Sequence, residues 1–458
     1  FTELSYIQLS VINYQLSDVS FQFTVYCLLI TDKTPTPKFM TWNFSSPTDS
    51  PLSDREVPLE SHHLWGKRIA LLVTGGIAAM KAPLIARSLR KFGATVVAFV
   101  SEEALRYVTK EALEWSTVNP VISQLTAKAE HLSDQSPFDL YLVAPATYNT
   151  INKFRYGIAD GVITSCLASA LGRQEKGKTK ILLVPTMHGS LHNAILTESL
   201  QTLDRWGVQI MSPRDDYGKH NLPGEKEITV AACGILSNSV LKNMPILVTG
   251  GPTPVIIDNI RRLTNRFTGQ LGVAIAEELY LRGAKVQLIH GRGSYTPPAY
   301  LPHEIIETYD EYLGKVMGEL ESKNYRFGIF SAAVADYRLE SPFSGKIPSE
   351  GQLNLNFVPT EKVIDKVREN FPDLEMVTFK YQEGVSQEEL LEIARKRLEK
   401  GYQAVIANRG EEKGDHGEQV AYLVTKAALA KFIGKKAIAI GIAEYLEERA
   451  KNVTIKKI

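Results

Sequence analysis

Residues 246–291 constrain this chain more than any other stretch, because they read as a strand, a glycine turn, a helix and a second strand. A short apolar run, Ile246, Leu247 and Val248, stops at Thr249, Gly250, Gly251 and Pro252. Glycines at such a turn have no Cβ, so backbone amides can approach a phosphate closely. The helix starts late. Between turn and helix lie Asp258, Arg261, Asn265, Thr268 and Gly269. This polar insertion is too long for a dinucleotide fingerprint, which argues against a plain NAD site.

A second strand–turn–helix pattern opens earlier, over residues 68–81, so the chain carries two glycine-turn units and two domains are expected. A length of 458 residues allows about two to four domains, and 44% apolar residues suffice for two buried cores. With 52 basic and 51 acidic residues the formal net charge is +1. That balance leaves no basic footprint for nucleic acid and favours small-molecule ligands.

Three cysteines, Cys27, Cys166 and Cys233, are far apart and form no CxxC pair. Neither a disulfide framework nor a zinc ribbon is written here, and a reducing cytoplasm fits. The apolar patch 21–30 is about half the length that a bilayer span needs, so no membrane segment is expected. Residues 31–60 are rich in Thr, Pro and Ser, and the first methionine is Met40. Residues 1–63 are therefore read as a disordered leader or a mis-assigned start.

From Leu64 onward, strand-like apolar runs alternate with amphipathic helical stretches, the pattern of parallel sheets covered by helices on both faces. The fold class expected is α/β, with two doubly wound domains over 64–240 and 241–458. Strands are expected at 69–73, 95–100, 140–143 and 181–184, then at 246–248, 285–289, 327–330, 376–379 and 404–406. Residues 421–424 read as an edge strand. Residues 214–227 break the rhythm with glycine, proline and charge and read as a loop or lid.

In open parallel sheets ligands sit at the carboxyl ends of strands, so the residues just after each strand carry most of the functional information. In the first domain these are Gly75, Gly76, Ile77 and Ala78, then Ser101, then Ala144, Pro145, Ala146 and Thr147, then 185–188 ending in His188. The GGIAA turn, the hydroxyl after the second strand and the APAT turn resemble the flavin-binding domain of the phosphopantothenoylcysteine decarboxylases and related cysteine decarboxylases. The resemblance implies a flavodoxin-like domain in which these residues hold FMN, with His131 in the place of the catalytic base.

In the second domain Gly251, Asp258, Arg261, Asn265, the AAVADYR run over 332–338 and the Gly345-Lys346-Ile347 loop resemble the phosphopantothenate–cysteine ligase half of bifunctional coenzyme A biosynthesis proteins. The resemblance covers residue 64 to the end and implies a Rossmann-like ligase domain. By it, Asn265 would hold an acyl-cytidylate and Lys346 would serve its formation or turnover. Ala332, Ala333 and Asp336 would contact the nucleotide, as would Lys396, Lys400 and Asn408, with Gly251, Asp258 and Arg261 also binding substrate. The substrates implied are 4'-phosphopantothenate, cysteine and CTP with Mg2+, whose ligands remain unassigned, and the assembly implied is a homo-oligomer. Electrostatic preorganisation suits this chemistry, because a carboxylate and a triphosphate meet in one place.

Plain structural roles compete at several positions: Lys396 and Lys400 suit a solvated helix face, and Cys233 sits in an apolar stretch that suits a buried thiol. Two departures from the family stand out in the first domain. His188 occupies the place of the carboxamide that grips the substrate carboxylate, and the lid region has no cysteine. These departures put decarboxylation in doubt. The alternatives are a flavin-binding scaffold or regulator and, with less support, an NAD(P)-dependent oxidoreductase.

Overall fold

The computed structural model describes residues 44–132, 136–348 and 353–455. The chain divides into two units, Phe1–Pro51 and Leu52–Ile458. Of the first, residues 44–50 are exposed and without regular structure. The apolar patch 21–30 lies outside the described residues. The end of the expected leader is folded instead. Glu60 N and Ser61 N donate to the Lys91 carbonyl at 2.8 and 3.2 Å, Arg90 Nη2 donates to the Arg55 carbonyl at 2.8 Å, and Leu64 is fully buried. A Thr/Pro/Ser-rich segment can still be ordered when it satisfies the carbonyls left open at a helix end.

The second unit holds two large sheets. The first contains β1 (Arg68–Val73), β2 (Thr95–Val100), β3 (Leu140–Ala146), β4 (Lys180–Pro185) and the short β5 (Gln209–Ile210). All pair in parallel in the order β2-β1-β3-β4-β5. Side chains alternate across the sheet. Ile69, Leu71 and Val73 pack with α1 (Ala82–Lys91), α2 (Lys110–Thr117) and α6 (Glu225–Leu236). Ala70 and Leu72 pack with α3 (Tyr148–Arg155), α4 (Val162–Glu175) and α5 (Ala194–Arg205). Burial of each large aliphatic contributes roughly 1.5–3 kcal/mol, so this layering outweighs any single exposed ion pair, worth about 0–1 kcal/mol.

The second sheet has eight strands: β6 (Pro245–Gly250), β7 (Lys285–Gly291), β8 (His303–Ile306), β9 (Phe327–Phe330), β10 (Glu375–Gln382), β11 (Ala404–Arg409), β12 (Val420–Val424) and β13 (Leu429–Ile433). Their order is β8-β7-β6-β9-β10-β11-β12-β13, with the first six parallel and the last two antiparallel. The parallel part has the dinucleotide-fold order 3-2-1-4-5-6. One face packs on α7 (Gln270–Leu281) and α11 (Lys435–Ile455), the other on α8 (Tyr309–Ser322) and α9 (Val363–Asn370). Helix α10 (Gln387–Leu398) begins with a capping box between Ser386 and Glu389 and covers β11 and β12.

Two expectations are corrected. Residues 421–424 lie inside the sheet, because β13 pairs beyond them. β13 alternates exposed and half-buried residues, a weak apolar signal. The expected lid contains a hairpin, Arg214–Asp216 with Lys219–Asn221, which adds to Met187–His188 in a three-stranded sheet. Its turn residues Tyr217 and Gly218 both have positive φ, 52° and 67°, as a tight two-residue hairpin turn demands.

A charged network fastens α7 to α11. Arg282 reaches Glu278 and Glu447, each at 2.9 Å, and Glu278 also meets His63 at 3.3 Å. Burial pushes the Glu278 carboxyl upward, but bonds from His63 and Arg282 outweigh it and hold the group below its usual range. Its contribution is therefore fully present above an unfolded pKa of roughly 4.3 and is lost as pH falls through the lowered folded value. Arg282→Ala removes the cation that two poorly exposed carboxylates share, leaving Glu278 with His63 and Glu447 with the Ser239 hydroxyl, and is expected to lower stability by about 1–3 kcal/mol at pH 7. Chemical denaturation at pH 7 and pH 4 checks this: the deficit shrinks in acid, and an unchanged midpoint at pH 7 contradicts it.

Candidate functional site

In each sheet the strand order reverses at one point, between β1 and β3 in the first and between β6 and β9 in the second, which is where open α/β sheets bind ligands. At the first, a cavity of about 900 Å³ is lined by Gly75, Gly76, Ile77, Ala78, Ser101, Pro145, Thr147 and His188. The turn is braced from below: Thr74 Oγ1 donates to the Pro145 carbonyl at 2.7 Å and lies 3.3 Å from Thr147 Oγ1. Ser101 Oγ accepts from Ala104 N at 3.2 Å. The wall combines backbone amides, hydroxyls and apolar side chains, a donor set suited to a phosphorylated planar ligand.

Three expected residues are placed differently. Ala144 and Ala146 are buried in the two opposite cores of β3 and do not line the cavity. His131 is also absent from the cavity wall. It lies in the long connection to β3, where Leu132 O accepts from Arg173 at the far end of α4, and its Nδ1 is buried with no hydrogen-bond partner among the described residues.

The hairpin brings residues that the sequence did not flag. His220 lines the cavity, its Nδ1 lies 2.5 Å from Asp215 Oδ1, and its Nε2 lies 2.7 Å from His192 Nδ1. An ionised Asp215 only accepts, so His220 Nδ1 donates to it, and Nε2 is left to share a hydrogen bond with His192. His188 bonds Ser190 Oγ at 2.8 Å. The sequence signal was a GKHN turn between short polar runs, which period-two apolar counting misses. The two described cysteines are no part of this site: burial pushes Cys166 up to about 12 and raises Cys233 further.

At the second switch point the turns after β6 and β9 are joined. Pro252–Thr253 pairs in parallel with Ala333–Val334, Ala333 N donates to the Gly251 carbonyl at 2.9 Å, and Ala335 N donates to Thr253 Oγ1 at 2.9 Å. Thr249 Oγ1 accepts from the buried Tyr312 hydroxyl at 3.0 Å and from Ala332 N at 3.4 Å. Gly251 has φ +77°, and a Cβ there would lie 2.5 Å from the Gly291 carbonyl oxygen, so the position admits glycine alone.

Onto this joined pair Asn265 projects from the insertion. Its Nδ2 donates to the Ala333 carbonyl at 2.7 Å, while its Oδ1 is buried without a partner among the described residues. Asp336 pairs with Lys362. Asn408, nearly buried at the end of β11, stands in register with Tyr381, whose ring packs edge-on to Phe267 at 5.3 Å. Lys380, a half-buried cation at the end of β10, went unread in the sequence. Burial and then Arg397 lower its pKa, and it feels the charges of Asp336 and Lys362. The strand-end rule identifies it once β10 is known to run past Phe379.

Two groups of expected ligands are displaced. Lys396 pairs with Glu392 at 2.8 Å on an exposed helix face, and Lys400 with Asp365 at 3.3 Å. Because α10 connects parallel neighbours, its last turn returns to the amino-terminal edge of the sheet, opposite the cleft. Asp258 is buried and its oxygens already accept four protein hydrogen bonds, one of them from Arg261 Nη1 at 2.5 Å. Neither Asp258 nor the part of Arg261 committed to it is open to substrate. Among the described residues no group of three or more His, Cys, Asp or Glu is arranged to hold a metal ion.

Two family models match the chain. One, described as flavoprotein, covers residues 58–236, and the other, the C-terminal domain of DNA/pantothenate metabolism flavoprotein, covers residues 241–449. The chain is 37% identical over 356 residues to the coenzyme A biosynthesis bifunctional protein CoaBC of Thermococcus kodakarensis, covering 76% of this chain and 87% of that protein. This chain belongs to the bifunctional coenzyme A biosynthesis family. The Methanocaldococcus jannaschii protein of the same description is 31% identical over 398 residues, covering 86% of this chain and 96% of that one. Among solved structures, a DNA/pantothenate metabolism flavoprotein from Streptococcus pneumoniae aligns with 45% of this chain and 99% of its own at 27% identity and a TM-score of 0.41.

Gly251→Ala tests the joined turns. Forcing a Cβ into a left-handed position against the end of β7 is expected to destabilise the fold by about 1–3 kcal/mol. A denaturation midpoint equal to that of the parent chain contradicts the close approach.

Proposed function

We propose that the carboxy-terminal half ligates 4'-phosphopantothenate to cysteine with CTP, and that the amino-terminal half holds FMN and decarboxylates the product. The observation that carries the ligase reading is the joined pair of strand-end turns. There Asn265 donates to the Ala333 carbonyl while its Oδ1 has no partner among the described residues, and the Lys346 ammonium likewise has none. A carboxylate oxygen of phosphopantothenate attacks the α-phosphorus of CTP, and the bond to pyrophosphate breaks. The cysteine amine then attacks the acyl carbon, loses a proton, and CMP departs. Lys346 and Lys380 counter the negative charge that gathers in the first step, and Asn265 positions the acyl group. Asp336 and Asn408 are read as nucleotide contacts, and Mg2+ as travelling with the triphosphate.

For the amino-terminal half the cavity wall fits FMN, with Gly75, Gly76, Ile77 and Ser101 around the phosphate and Pro145 and Thr147 along the ring. A bound flavin supplies a two-electron oxidant for the cysteinyl thiol. The hairpin brings His220 to the cavity mouth beside His188, and the two imidazoles are read as substrate-carboxylate and proton-handling groups in place of the family's carboxamide and thiol.

A homo-oligomer is supported by exposed apolar side chains of the insertion before α7 and of the segment that runs from β9 to the Lys346 loop, among them Ile256, Ile260, Tyr337 and Phe343. Since His131 does not line its own cavity, its reading as the base requires it to serve the cavity of a second copy. No helix among the described residues is long and apolar enough to cross a membrane, and the cytoplasm is the proposed compartment.

Purified protein is expected to turn CTP over continuously to CMP and pyrophosphate only when phosphopantothenate and cysteine are both supplied. Asn265→Ala and Lys346→Ala each lower kcat by about 100-fold or more, and Lys380→Met raises the KM for CTP by roughly tenfold, the weight of one charge-assisted contact. Nucleotide turnover independent of cysteine and phosphopantothenate rejects the ligase reading. For the flavin half, Gly75→Val is expected to lose the visible flavin absorbance and His131→Ala to keep it. Co-expression of the two is expected to restore part of the CO2 release that each lacks alone, and no recovery contradicts the shared-cavity reading.

A further inference from the structure

The Lys346 loop is held on both sides of the lysine by one short segment. Asn259 N donates to the Gly345 carbonyl at 3.0 Å, and Phe343 N donates to the Ile257 carbonyl at 2.9 Å. Asp258 Oδ2 accepts from Ile347 N at 3.0 Å, and Arg261 Nη1 donates to the Ile347 carbonyl at 3.2 Å. The other Asp258 oxygen accepts from Ile260 N at 2.8 Å and Arg261 N at 2.5 Å, closing its own turn. The Asp258 side chain is fully buried. Gly345 takes φ +82° where the loop bends, and Ile347 is buried. Lys346 therefore has its flanking peptide groups pinned, while its ammonium has no hydrogen-bond or ion-pair partner among the described residues.

From this geometry we infer that Asp258 and Arg261 are positioning residues that hold the Lys346 backbone at the ligase cleft and do not themselves contact substrate. The inference rests on the ligase reading of Lys346. A flexible loop would have to place a cation against developing charge at each turnover, and every rotatable residue left free adds an ordering penalty to the reaction. A carboxylate with four donors suits the task because it joins two segments that are distant in sequence and is itself immobile. The amide Ile347 N and the guanidinium are both donors. Both bond Oδ2, while Ile260 N and Arg261 N bond Oδ1; an asparagine at 258 has only one acceptor atom, so its amide group opposes one of these two donor pairs while the side chain keeps its size.

The test uses the full chain and the variants Asp258→Asn, Lys346→Ala and their combination, with kcat and KM for CTP measured separately and amide hydrogen exchange followed over residues 343–348. The inference expects Asp258→Asn to lower kcat by tenfold to hundredfold, with KM within twofold and exchange in the loop at least tenfold faster. It expects the double variant to be no slower than Lys346→Ala alone, since a residue that acts through Lys346 has nothing left to position. A raised KM with kcat intact, losses that multiply in the double variant, or unchanged exchange in the loop overturns it. Should Asp258→Asn fail to fold, Gly345→Ala serves: its Cβ meets nothing within 4 Å, yet it disfavours the bend, and the same split and the same non-additivity are expected. Full activity in Lys346→Ala alone rejects the catalytic reading of Lys346 and this inference with it. A slow Lys346→Ala with a multiplicative Asp258→Asn rejects only the inference.

Discussion

The second half of this molecule depends on a backbone approach that side chains would forbid. The turn after β6 lies against the end of β7, with Gly251 facing Gly291, and the same turn then pairs strand-like with the turn after β9. Two turns that the topology would merely set side by side become one surface. Hydrogen bonds from Ala333, Ala335 and Asn265 lock it, and the insertion before α7 is free to fold as a flap that carries the Asp258 clamp. A side chain at the glycine position would separate the turns and leave the flap without a floor. Charge-gathering chemistry benefits from such a floor, because fixed dipoles need no reorganisation as the reaction proceeds.

The same logic of the strand-order reversal operates twice, with different outcomes. In the first sheet the reversal leaves an open cavity with hydroxyls and a glycine turn. In the second it is closed by pairing and covered by a flap. The two halves form one unit through the packing of α6 on α7 and the contact of His63 with Glu278. Proximity of this kind suits consecutive steps on one pantetheine-like substrate.

Much of the architecture was legible in the residues, and the reason is burial. Fully covered parallel strands are continuous apolar runs, so β1 to β4, β6, β7 and β9 to β11 stand out, as do the glycine turns that follow β1 and β6, whereas the half-buried β8 was not read. What failed was direction and pairing. Lys396 and Lys400 are attractive cations until α10 is placed between parallel neighbours, which sends its last turn to the wrong edge. Ala144 and Ala146 share a motif with Pro145 and Thr147, but an irregularity in β3 between Val143 and Ala146 breaks the alternation and turns them into opposite cores. Asp258 was read as a ligand because a buried, fully satisfied carboxylate is indistinguishable in sequence from a free one. His220 and Lys380 were missed because one lies in a polar hairpin and the other beyond the apolar part of its strand.

The central claim is that the carboxy-terminal cleft activates an acid as a mixed anhydride with a nucleoside monophosphate. The most direct measurement incubates the full chain with CTP and 4'-phosphopantothenate in the absence of cysteine and examines the rapidly quenched mixture by mass spectrometry. The account predicts an acyl-cytidylate approaching one equivalent per cleft, released pyrophosphate in the same amount, and conversion of the acyl-cytidylate to amide and CMP when cysteine is added. Formation of CDP and inorganic phosphate, or nucleotide left untouched until cysteine arrives, would contradict it.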